Sequence, residues 1–179
     1  MAIICLAACS KPAPDPWAES IGARVRYDTG VPIHVETATR TDSTTYIKEL
    51  DRRRGIYELR IIQNRDRAAK YTKQNMPKNA RIMREAILKD YKIIAGLDSI
   101  RQAMGPDTLG IAYYDYEFEY CTADEKGNKT KPKKAYATMR PDRSVLTWAP
   151  KHRDLHKTTG LAIPGYRKLL DDLKENEQQ

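Results

Sequence analysis

Apolar positions recur along this chain in two rhythms, one of two residues and one of three to four. Val31, Ile33 and Val35 alternate with polar neighbours, and residues 31–39 are rich in β-branched side chains, which predicts a strand. Residues 17–26 ahead of it predict a short helix. Residues 44–54 fit either a helix capped by Gly55 or the middle strand of a meander, and residues 56–63 read as a strand. A polar helix is expected over 64–75. The clearest helical signal follows Pro77, with Asn79 able to cap. Ile82, Met83, Ala86, Ile87, Tyr91 and Ile94 make a stripe at helical spacing. Gly96 is expected to punctuate that helix. A further turn carries Ile100 and Met104, and Gly105-Pro106 ends it.

The second half predicts antiparallel strands. Residues 109–121 are strand-like, Lys126-Gly127-Asn128 marks a turn, and residues 135–140 return. Pro141-Asp142 makes a tight turn into a strand over 144–148. Tyr166, Leu169, Leu170 and Leu173 then fall at helical spacing over 165–174. Strand and helix blocks are grouped rather than strictly alternating. The expected class is therefore α+β: an antiparallel sheet of about five to six strands with helices packed on one face. No internal repeat is visible.

Composition bounds this picture. The 179 residues are 40% hydrophobic and 31% charged, enough for one domain with a core of its own. No run approaches the roughly 20 apolar residues of a spanning helix. The net charge of +8 favours anionic partners: nucleic acid, phospholipid headgroups, envelope polymers or an acidic protein. Local basic clusters, Arg52, Arg53 and Arg54 on one side and Lys131, Lys133 and Lys134 on the other, are candidate phosphate contacts. Cys121 is the one cysteine outside the first nine residues, so the body has no internal disulfide and Cys121 is expected in the core.

The start of the chain carries a resemblance. Leu6-Ala7-Ala8-Cys9 resembles the lipobox of bacterial lipoproteins, in which small residues precede the cysteine that is acylated. The resemblance implies cleavage between Ala8 and Cys9, lipidation of Cys9, and a membrane anchor through its acyl chains. Residues 1–8 are then a truncated signal-like leader. Three prolines between Ser10 and Pro16 make residues 9–16 an extended tether, followed by a single domain over 17–175 and a frayed tail over 176–179. Serine directly after the cysteine resembles lipoproteins sorted to the outer membrane, facing the periplasm.

Candidate chemistry is sparse. On a strand, Tyr114, Tyr116, Phe118 and Tyr120 would share one face and Asp115, Glu117 and Glu119 the other. The tyrosines could form a stacking platform and the acids a cation site or a glycosidase-like acid and base. The plainer expectation is an aromatic row packed in the core, with acids paired across the sheet to Lys131, Lys133 or Arg140. His152 and His156 could share a helical face and hold zinc with a third ligand, but Asp154 is off that face and Pro150 favours a loop. His34 is expected to be structural. Neither a nucleophile elbow nor a glycine-rich phosphate loop occurs, and nothing calls for a cofactor. The function expected is an envelope-anchored lipoprotein acting as a non-catalytic binding or assembly domain, with another envelope protein as partner. Two alternatives stand beside it: a glycan-binding or hydrolytic envelope protein built on Asp115, Glu117 and Glu119, and a cytoplasmic nucleic-acid binder.

Overall fold

The computed structural model describes residues 15–123 and 128–175. Helix α1 (Pro16–Thr29) starts where the Asp15 carboxylate accepts the Trp17 N–H at 2.9 Å, with Pro16 in the first turn. It stops at Gly30, whose φ of +71° lets its N–H reach back to the Arg26 carbonyl. Strand β1 (Ile33–Thr45) runs directly into α2 (Tyr46–Lys73), and α3 (Pro77–Met104) returns antiparallel beside it. A 3₁₀ turn (Gly105–Leu109) leads to β2 (Ile111–Thr122), β3 (Lys133–Met139) and β4 (Val145–Ala149). Two further 3₁₀ turns (His152–Lys157 and Thr159–Ala162) connect to α4 (Tyr166–Glu175). The described strands form one antiparallel sheet in the order β1-β2-β3-β4. The α2–α3 pair is thus an insertion between two neighbouring strands.

The mixed helix-and-sheet class holds, but the described sheet has four strands rather than five to six. Residues 44–54, which fit either a helix or a strand, and 56–63, read as a strand, lie almost entirely in α2, as does most of the helix expected over 64–75. The buried side chains of α2 are Glu49 and the stripe Leu50, Arg53, Tyr57, Ile61, Asn64 and Ala68, spaced by three and four. Two polar members of that stripe hide its period from a hydrophobic reading, while Ile56, Leu59 and Ile62, which suggested a strand, are exposed. Gly55 sits inside the helix and caps nothing. In α3 the buried stripe is rotated from the expected one. Ala80, Asp90, Ile93, Ile94 and Leu97 face inward, whereas Ile82 and Tyr91 are exposed. Gly96 does not interrupt the helix. It makes room for α4, since a Cβ there would lie 2.4 Å from Leu169 Cδ1.

Helical elements also lie on both faces of the sheet, not one. Ile21 and Val25 of α1 pack on Tyr116, Phe118, Ala135, Ala137 and Met139. The base of α2 and the 3₁₀ segment meet the other face through Tyr113, Ala112 and Ala162. A third cluster, Leu50, Tyr57, Ile61, Ile93, Ile94 and Leu97 with Ile163 and Tyr166, binds the helical pair to the chain's last elements. The tight turn at Pro141-Asp142 is present, with the Arg140 N–H bonded to the Ser144 carbonyl at 2.9 Å. The leader, most of the tether with Cys9, the turn centre Lys126-Gly127 and the tail 176–179 lie outside the described residues. Among those described, no helix is long and apolar enough to cross a membrane.

Candidate functional site

Three stretches that the sequence offers separately converge on one face of the sheet. Glu49, fully buried on the first turn of α2, is the centre. Its Oε1 accepts from Arg53 Nε at 2.7 Å and from Thr159 Oγ1 at 3.0 Å, and its Oε2 accepts from the Tyr113 hydroxyl at 3.0 Å and from Arg52 Nη2. Helical spacing makes this possible, because Arg52 and Arg53 follow Glu49 by three and four residues. Arg53 Nη2 also donates to the His156 carbonyl at 2.8 Å and to Thr159 Oγ1 at 2.7 Å. Burial raises the Tyr113 hydroxyl to about 12, so it stays a donor.

Beside this hub, Arg52 Nη1 stands 2.9 Å from His156 Nδ1. Guanidinium can only donate, so Nδ1 is the acceptor and the imidazole is neutral with its proton on Nε2. Burial, with the Arg52 charge, holds His156 below its ordinary value. Asp115 is buried on the same face and accepts from Thr138 Oγ1 at 3.1 Å. Burial raises its carboxyl, against the pull of that hydrogen bond and of the two nearby histidines. The His152 and His156 rings meet edge to face at 5.4 Å, and His152 meets Tyr136 the same way. Their segment is a 3₁₀ helix, not a loop. Among the described residues no group of three or more His, Cys, Asp or Glu side chains could hold a metal ion. Apart from the buried Arg52 Nε, which has no hydrogen-bond partner among the described residues, the junction's donors and acceptors are directed at one another, which makes it a clamp joining α2, the sheet and the 3₁₀ segment.

The other candidates are dispersed. Tyr116 is buried and stacks on Trp17 at 5.3 Å, and Tyr114 meets the same indole edge-on at 5.8 Å. The half-buried Tyr114 and Tyr120 pack on the same core under α1, with Tyr120 against Phe118. Glu117 is paired with Lys134 Nζ at 2.7 Å, and Glu119 lies in register with Lys134. The lysine that meets these acids is therefore Lys134, rather than Lys131, Lys133 or Arg140, which donates to Ser144 and the Leu161 carbonyl. The cavities between α1 and β1 (about 310 Å³) and beside Tyr46, Arg140 and Ile163 (about 690 Å³) are lined by neither the acids nor the tyrosines of this strand. Arg52 and Arg53 turn inward, Arg54 pairs with Glu58 and Asp98, and Lys131, Lys133 and Lys134 stand apart on and before β3. Cys121 is buried, and His34 is solvated beside Glu36.

The charge of the molecule gathers elsewhere. Residues 60–92, the distal part of the α2–α3 pair, hold ten lysines and arginines against three acids, a net +7 of the chain's +8. Each helix has 28 residues, about 42 Å at 1.5 Å per residue. This basic arm also carries large apolar side chains in the open. Ile62 is 55% exposed, Leu88 62% and Tyr91 48%. No family model, no curated protein and no solved structure matches this chain. Sequence reasoning missed Glu49 and Thr159 as a hub, although the Glu49, Arg52, Arg53 spacing would have disclosed it once 44–54 was read as helix. It also spread the charge over two short clusters instead of recognising one arm.

Proposed function

We propose that this chain is an envelope-anchored lipoprotein, acylated at Cys9, whose folded part is a non-catalytic binding and assembly module, and that the α2–α3 arm is the part that engages its partner. The observation that carries the reading is the placement of charge. A net +7 sits on one projecting pair of helices with apolar side chains uncovered, and such a field raises the encounter rate with anionic surfaces. The junction around Glu49 supports the same reading. It fixes the base of the arm to the sheet, and the Glu49 carboxylate at its centre is engaged by donors of the protein itself. The pairing of Glu117 with Lys134, and the burial of Asp115 against Thr138, take support away from a hydrolytic site on that strand.

Metabolic labelling with palmitate tests the anchor: label is expected in the native chain and absent from Cys9→Ser. Affinity recovery from detergent-solubilised envelope tests the arm. A stoichiometric envelope protein should accompany the native chain and be lost from the triple variant Lys70→Glu, Lys73→Glu, Lys78→Glu. Unlabelled native chain, or a partner that the triple variant retains, contradicts the respective half of the proposal.

A further inference from the structure

One side of the arm has a surface of its own. Arg65 Nη2 donates to the Tyr91 hydroxyl at 3.3 Å, which brings α2 and α3 side chains together on that side. Ile62 precedes Arg65 by three residues and Leu88 precedes Tyr91 by three, so each lies one helical turn along the same side. Ala69 and Ala95, four residues beyond Arg65 and Tyr91, are also exposed. Arg84, whose Nη2 reaches Thr72 Oγ1 at 3.4 Å across the two helices, extends the basic flank toward the tip. The outcome is a two-helix face with an apolar centre, a tyrosine with its hydroxyl at the surface, and cations around it.

From this face we infer that the arm lies on a bilayer surface rich in anionic phospholipid, with Ile62, Leu88 and Tyr91 entering the headgroup boundary and the surrounding lysines and arginines meeting lipid phosphates. The inference rests on the reading of the arm as the binding element and names one of its partners. Charge complementarity selects an anionic surface, and the apolar centre selects lipid over nucleic acid, whose phosphates give exposed isoleucine and leucine nothing to enter. Interfacial helices bind through this pairing of buried apolar area with attraction to anionic headgroups. Tyrosine is suited to that depth because one end is apolar and the other polar. The same field that draws the arm to the surface weakens with salt.

The test is flotation of the full-length chain carrying Cys9→Ser, so that no acyl anchor holds it to a vesicle, with vesicles of phosphatidylethanolamine containing about 30 mol% phosphatidylglycerol, against vesicles of phosphatidylcholine alone. This otherwise native chain should float with the anionic vesicles and not the zwitterionic ones. The triple variant Ile62→Ser, Leu88→Ser, Tyr91→Ser should lose binding by about tenfold or more. Lys70→Glu, Lys73→Glu, Lys78→Glu should lose it similarly, and so should the otherwise native chain at about 0.5 M salt. All these proteins carry Cys9→Ser, so none has an acyl anchor to mask the arm, and circular dichroism confirms that the exposed substitutions leave the helices intact. Equal binding to both vesicle types, no binding, or a triple serine variant that binds as the otherwise native chain does would overturn the inference. Retention on duplex DNA or RNA in place of vesicles would also overturn it and assign the arm to nucleic acid. If the lysine variants lose a detergent-stable protein partner while vesicles bind none of the proteins, the lipid inference fails and the binding arm remains.

Discussion

Thr159 Oγ1 donates to Glu49 Oε1 at 3.0 Å across 110 residues of sequence, and the same hydroxyl accepts Arg53 Nη2 at 2.7 Å. One hydroxyl thus couples a buried carboxylate to a buried guanidinium, and the 3₁₀ segment to the base of α2. Every partner of Glu49 is a donor, so the carboxylate is the one group the junction cannot lose without leaving a buried cation unpaired. Glu49→Gln is expected to destabilise the fold by about 3 kcal/mol, and Arg52→Lys, at a partly exposed position, by less. Urea unfolding followed by circular dichroism measures both. A Glu49→Gln protein as stable as the native one would remove the clamp from this account.

Two glycines make opposite predictions. A Cβ on Gly160 would lie 2.7 Å from both Arg53 Nε and Tyr166 Cε1. Neither neighbour can yield easily, because Arg53 is held by Glu49 and the Tyr166 hydroxyl by Tyr57 at 2.6 Å. Gly160→Ala should therefore cost roughly 2 kcal/mol. At Gly96 the obstacle is the end of Leu169, and alanine gains about 1 kcal/mol of helix propensity over glycine. Gly96→Ala should cost less than Gly160→Ala, and in a Leu169→Ala background it should become stabilising. Melting temperatures of the native chain, the three single variants and the Gly96→Ala, Leu169→Ala double variant check the order and the change of sign.

Asp90 is fully buried between the two helices of the arm, and its closest charge is Arg60 Nη2 at 3.1 Å. Neither carboxylate oxygen has a hydrogen bond of good geometry within the protein. Burial raises its carboxyl above the ordinary 3.8, with Arg60 and Lys89 opposing. The folded state therefore holds this proton more tightly than the unfolded chain does. The stability it confers is full below the unfolded value and is lost as pH rises through the raised one. Asp90→Asn should raise the melting temperature near neutral pH, and the advantage should shrink toward about pH 4. An advantage independent of pH would show that the carboxyl does not titrate differently on folding.

The neutral state of His156 has its own signature. With Arg52 donating to Nδ1, the ring keeps its proton on Nε2, and its midpoint should fall below the usual 6.5. Since the folded value is depressed, the folded state resists a proton that the unfolded chain accepts, so this group takes stability away as pH falls below about 6.5. Nitrogen-15 spectra of the imidazole should show an unprotonated Nδ1 at pH 7. Arg52→Gln should move the midpoint upward, and a midpoint that stays in place would contradict the contact.

The elements that were legible in the sequence are those whose apolar period is uninterrupted. Ile33 and Val35 disclosed β1, the row from Tyr113 to Cys121 disclosed β2, and Tyr166 with Leu169, Leu170 and Leu173 disclosed α4. The alternation of tyrosine and acid on β2 was also legible, including the packing of the tyrosines under another element. What was hidden is the continuity of α2: a helix was expected over 64–75 and a helix or strand over 44–54, but 56–63 was read as a strand, because Arg53 and Asn64 occupy inward positions that a hydrophobic pattern leaves blank. Arg53 is tolerated there by partners that sequence spacing alone does not reveal, Thr159 being the clearest. The same error concealed the arm, since charge from Arg60 to Lys92 stands out only when both segments are seen as one pair of helices. The junction was legible in pieces, Arg52 and Arg53, Asp115, and His152 with His156. Its assembly depends on tertiary contacts across about a hundred residues.

The central claim, that the arm is the binding element, is tested most directly by photo-crosslinking in living cells. A benzophenone amino acid placed at Leu88 on the arm is compared with one at Tyr27, which is 84% exposed on α1. Both positions are open to solvent and differ in the surface they report. Adducts to protein or lipid are expected from Leu88 and not from Tyr27. Adducts from Tyr27 with none from Leu88 would contradict the account.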